Sequence, residues 1–176
     1  MDRRSFLAAA GAAGVAPVGT LAASSGPSQS GDRQLYELRE YTYLPGSGGS
    51  RLHEHLENVL LPAYNEIGVD PVGVFTVTHG RNDPTVYVFL PFDSAEQFIT
   101  HRGRLRELGG AYAEAIDPPM DEPNFTRYDS QLMRAFAGSP RVSVPEGYGP
   151  GDTRIHEMRT YESQNEERAH RKVEMF

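Results

Sequence analysis

Apolar and polar residues alternate over residues 35–44 (LYELREYTYL), the two-residue period of an aromatic-rich strand. Pro45 and three nearby glycines end it, and the period then changes. Leu52, Leu56, Val59, Leu60, Ala63 and Ile67 recur at helical spacing. That spacing predicts a helix capped by Ser50, bent at Pro62 and closed by Gly68. Strands are predicted over residues 72–78 and 85–92, joined by the hairpin-length turn HGRNDP. A second helix is expected after Asp93, with Glu96 three residues on completing a capping box. Phe98, Ile99, Leu105 and Leu108 would form its buried face. Gly109-Gly110 interrupts it before a short turn over 111–116, a polar loop spans 117–128, and a fourth strand is predicted over 130–137.

The order β-α-β-β-α-β specifies an α+β, ferredoxin-like domain: a four-stranded antiparallel sheet with two helices on one face. Strand alternation puts Glu37, Arg39 and Tyr41 on one side of the first strand, and Tyr36, Leu38 and Glu40 on the other. With Leu38 taken as the partner of the helices, the Glu-Arg-Tyr row is expected on the open face. Residues 140–152 are rich in proline and glycine and read as a linker. After them the chain repeats itself. IHEMRTYE, residues 155–162, follows LYELREYT closely, with Met158 standing where Leu38 stands. A second strand and the start of a second helix, loosely packed, are therefore expected over residues 153–176.

The first 25 residues carry a different pattern. Arg3-Arg4 precedes Phe6-Leu7 and a weakly apolar run of alanines and glycines, with small residues near 20–25. This is a secretory signal, similar to the twin-arginine translocation motif in particular, and too poorly apolar for a stable membrane span. Cleavage is expected between Ala22 and Gly26, followed by a flexible linker to residue 33. The predicted location is periplasmic or otherwise extracytoplasmic, reached in the folded state.

YELREYTYLPGS, its echo EMRTYES and the RKVEMF that follows resemble the NIPSNAP family. The resemblance covers residues 34–138 as one domain and 153–176 as the opening of another, truncated one. It implies the dimeric α/β-barrel superfamily, in which two ferredoxin-like sheets pack face to face. The implied partner is a second copy of the chain, or the rest of the second domain. Two functional classes stay open, the first favoured by the absence of a catalytic motif and the second of a kind the superfamily contains. One is a binding or assembly module that self-associates through its open sheet face. The other is a small cofactor-independent, monooxygenase-like oxidoreductase with the barrel interior as its pocket.

Composition narrows the chemistry. A formal net charge of −7 argues against nucleic-acid binding, which requires a basic surface. The absence of cysteine excludes thiol catalysis, disulfides and cysteine metal sites. His53 and His55 do not share a helix face, and His53 with Glu57 supplies two ligands where zinc needs three or four. No metal or cofactor is therefore expected, and no HExxH, GxGxxG, P-loop or nucleophile-elbow motif is present. The candidate ligand-binding residues are Glu37, Arg39 and Tyr41, with Arg39 as a fork-shaped donor for an anionic or carbonyl group of a small molecule. The same row can instead pair internally to satisfy a half-buried surface.

Overall fold

The computed structural model describes residues 33–80, 84–115, 123–147 and 154–175. The expected signal and almost all of its linker lie outside these residues, as do parts of the HGRNDP turn and of the loop before the fourth strand. Strand β1 (Leu35–Thr42) is followed by α1 (Ser47–His55), a π-helical segment (Leu56–Leu60) and α2 (Leu61–Glu66). Strands β2 (Gly73–Thr76) and β3 (Thr85–Phe92) come next, then α3 (Ala95–Leu108), a 3-10 turn (Gly110–Ala115) and β4 (Arg127–Arg134). One sheet results, in the order β2-β3-β1-β4, with every neighbouring pair antiparallel. This is the ferredoxin-like α+β architecture.

Several elements begin or end elsewhere than their patterns predict. The first helix starts at Ser47 rather than after Ser50. The expected bend at Pro62 takes the form of π turns. Proline has no N–H to give residue 58, and the preceding turn widens, with the Leu61 N–H reaching the Leu56 carbonyl. Gly68 closes α2 as expected, at φ +75°, a conformation that costs glycine nothing. The cap of α3 lies one residue later than expected. The Ser94 hydroxyl accepts from the Gln97 N–H at 3.1 Å, and the Gln97 side chain accepts from the Asp93 N–H at 2.7 Å. On α3, Ile99 is 75% exposed and His101 takes its expected place inside. Strand β4 runs three residues earlier than predicted, because its pairing begins at Arg127 opposite Thr42.

Register decides the faces. Glu37, Arg39 and Tyr41 sit opposite Leu90, Val88 and Val86 of β3, so all six share one side of the sheet. That side packs under the helices: Val86, Val88, Leu90 and Phe92 are fully buried with Leu52, Leu56, Leu60, Tyr64 and Leu105. The expected orientation of β1 is therefore reversed. The polar row faces the helices, while Leu38 shares the open face with Phe89 and Gln131. Burying the polar row is tolerated because its groups satisfy one another, as the site geometry below makes explicit.

The segment after β4 is less free than a linker. Gln34 N–H donates to the Pro140 carbonyl, the Gln34 side-chain oxygen accepts from Val142 N–H, and its amide nitrogen donates to Asp93. Over residues 154–163 the expected strand is not formed. In place of sheet pairing, His156 sets its ring 5.1 Å from that of Phe75 on β2. Helix α4 (Glu166–Val173) does form, capped by the Asn165 side chain on Arg168 N–H and with no buried residue.

A buried Glu-Arg-Tyr-His network and the cleft beside it

Glu37, Arg39 and Tyr41 are brought together on the helix face at 1%, 6% and 4% exposure. The carboxylate takes the guanidinium in a fork: Arg39 Nε donates to Oε1 and Nη2 to Oε2, each at 2.9 Å. The Ser130 hydroxyl of β4 adds a third donor to Glu37, at 2.7 Å. Burial pushes the Glu37 carboxyl up, but these donors and the Arg39 charge outweigh it and hold the group below its ordinary range. Burial likewise opposes the Arg39 charge, and the Tyr64 and Tyr41 oxygens with the Glu37 carboxylate more than restore it. Arg39 Nη1 donates to the Tyr41 hydroxyl at 3.3 Å, and the guanidinium lies 5.6 Å from the Tyr64 ring centre.

His101 is the residue that sequence reasoning missed. Its Nδ1 bonds the Phe98 carbonyl one turn back, while Nε2 lies 3.2 Å from Arg39 Nη2. Since Arg39 can only donate, Nε2 is the acceptor and the ring is the neutral Nδ1–H tautomer. Burial lowers the His101 pKa, and Arg39 and Arg102 push the same way. The ring is set among Phe92, Phe98 and Tyr64, with centroids 5.1, 5.7 and 5.9 Å away. Spacing could have found it: residues 98, 101, 105 and 108 recur at three- and four-residue steps, and residue 99 is off that stripe.

Beside the network a cleft of about 50 Å³ opens between the sheet and the helices. Its floor includes Arg39, Tyr41 and Tyr64, Leu56 and Leu60 of the π segment form one wall, and Phe125 and Tyr128 another. Arg102 stands at the rim and donates to the Tyr128 hydroxyl at 3.1 Å. Burial raises the Tyr41 and Tyr64 pKa values, so both phenols keep their protons. His55 also borders the cleft, whereas His53 is not among its lining residues. Among the described residues no cluster of His, Asp or Glu could hold a metal ion.

The NIPSNAP family model matches residues 36–140, more than half of the chain. The chain belongs to the NIPSNAP family. A similar solved structure is that of an uncharacterized NIPSNAP-like domain protein from Burkholderia xenovorans. It is 16% identical, covers 69% of this chain and 99% of its own, and has a TM-score of 0.51. A NIPSNAP family protein from Agrobacterium tumefaciens is 15% identical, covers 61% and 90%, and has a TM-score of 0.50. At these identities the likeness is one of fold, shared across the family. No curated protein matches the chain.

Proposed function

We propose that this NIPSNAP-family chain is an exported binding and assembly module that self-associates through the open face of its sheet. One observation carries the reading. The face turned away from α1, α2 and α3 holds Tyr36, Leu38, Phe75, Tyr87, Phe89 and Met133, an apolar and aromatic surface that those helices do not cover. Tyr36 and Phe89 already pack at 4.8 Å between ring centres, which presents a rigid aromatic anchor. The opposite face supports a module rather than an enzyme, since the Glu37–Arg39 fork is committed to internal partners. Its cleft is also far below the roughly 300–1,000 Å³ of a substrate-sized pocket. Sedimentation velocity tests the association. The wild-type chain from residue 26 onward is expected to sediment as a dimer, and Phe89→Glu or Met133→Glu, folded by circular dichroism, as monomers. Unchanged sedimentation of both folded variants would refute the open face as the interface.

Residues 153–176 fit the opening of a second copy of the same unit. Arg159 donates to Glu157 at 2.6 Å, the same two-residue ion pair that Arg39 makes with Glu37, here on the exposed surface. Export rests on Arg3-Arg4 and the weakly apolar run behind them. Replacing both arginines by lysine should leave the precursor in the cytoplasm, and normal export of that variant would remove the proposal.

A further inference from the structure

We propose that the cleft between β1, the π segment and α3 is a binding site for a small organic monocarboxylate, the carboxylate held by phenol protons and Arg102, the hydrocarbon lying on Leu56, Leu60 and Phe125. The site is on the helix face, so it stands or falls independently of association through the open face.

The polarity of the cleft selects an anion. Among the described residues its lining carries two arginines and three tyrosines and no aspartate or glutamate. That reverses the sign of a chain whose formal net charge is −7. Glu37 cancels Arg39 through the fork, which leaves Arg102 as the charge to be matched by one carboxylate. The hydroxyls are oriented for the task. The Tyr41 oxygen accepts from Arg39, and the Tyr128 oxygen accepts from Arg102. A phenol whose oxygen is engaged by an arginine turns its own proton away from that arginine, and the engagement polarises it as a donor. Two such phenols line the cleft, with the Tyr64 ring beside them. Arg102 is exposed, and among the described residues its side chain donates to Tyr128 through Nη2, so its fork can meet a carboxylate at the rim.

Size then limits the class. About 50 Å³ admits a carboxylate and a few attached carbons, and it excludes nucleotides and other large anions. The apolar side is supplied by Leu56 and Leu60, and by Phe125, whose ring meets Tyr41 edge-on at 5.0 Å. A site of this kind prefers a short aliphatic acid to its neutral amide.

Titration of the full chain with propionate and with propionamide, followed by amide NMR shifts, tests the assignment. Propionate is expected to give saturable shifts centred on Leu56–Leu60 and Tyr64, and propionamide of the same shape none. Arg102→Gln, an exposed change that leaves the fold intact, is expected to weaken propionate binding about tenfold, the scale of one charge-assisted bond. Tyr128→Phe should weaken it less. Equal shifts with propionamide, undiminished binding by Arg102→Gln, or no saturable shift at the cleft with propionate would each overturn the proposal.

Discussion

Arg39 shows how much one side chain can settle. It holds Glu37 in a two-bond fork, reaches Tyr41 and His101, and lies against Tyr64, all of them buried. Removing it strands a buried carboxylate. Arg39→Ala is expected to lower the unfolding free energy by about 3–5 kcal/mol. The double change Glu37→Met with Arg39→Met, which takes out both charges and keeps their volume, should recover most of that loss in urea unfolding. Acidity probes the same network. His101 and Glu37 both titrate below their ordinary values of 6.5 and 4.5. Each therefore contributes stability above its unfolded pKa and loses it as pH falls through the folded one. Stability should decline first below about pH 6.5, through His101, and further below about pH 4.5, through Glu37. His101→Gln should flatten the first decline and leave the second. The chemistry of Glu37, Arg39 and Tyr41 was legible in the residue pattern, including the option that they pair with one another. Their direction was not, because a strand's alternation names two faces and only the register with β3 says which is inside.

Among the elements, those with strong periodicity were legible nearly to the residue. β3 spans the predicted 85–92, since four residues of it, Val86, Val88, Leu90 and Phe92, are fully buried at alternate positions. Element ends were less legible, because competing caps stand next to each other. Asp93 and Ser94 both suit an N-cap, and Ser94 has it because Gln97, not Glu96, reaches back. Ser94→Ala is expected to cost about 1 kcal/mol in chemical denaturation, and Asp93→Ala less through loss of capping alone. The repeat at 154–163 was legible as sequence and yet forms no strand, because no sister strand pairs with it. Helix α4 forms on local terms. Its cap, Glu166 and Glu167 in the first turn, and His170, Arg171 and Lys172 in the last complement the helix dipole. Eight such residues without a buried face are marginal in water. In hydrogen exchange, amides 166–175 should exchange far faster than those of 86–90. Equal protection would show that α4 is covered by something beyond its own helix.

Across the whole molecule the two sides of the sheet divide the work. The helix side is closed over a saturated polar network, with a small cleft at its margin; the other side carries aromatic and apolar residues that half-cover one another. The topology was readable from the order of periods, and the family from the repeated Glu-Arg-Tyr strand. Association was readable only through the resemblance, because exposure of a face is a property of the assembled sheet. Two sheets that pack face to face stand about 10 Å apart. The chain contains no cysteine, so one can be introduced as a single labelling point. Gln131, which shares the open face with Leu38, and Glu107, on the exposed surface of α3, give opposite expectations. The most direct test is the distance between spin labels in pairs of chains labelled at Gln131→Cys, with Glu107→Cys as the reference. Association through the open face requires a Gln131 separation below about 30 Å and a Glu107 separation well beyond it, given that sheet spacing. No dipolar coupling from either site, or the shorter distance from Glu107, would contradict it.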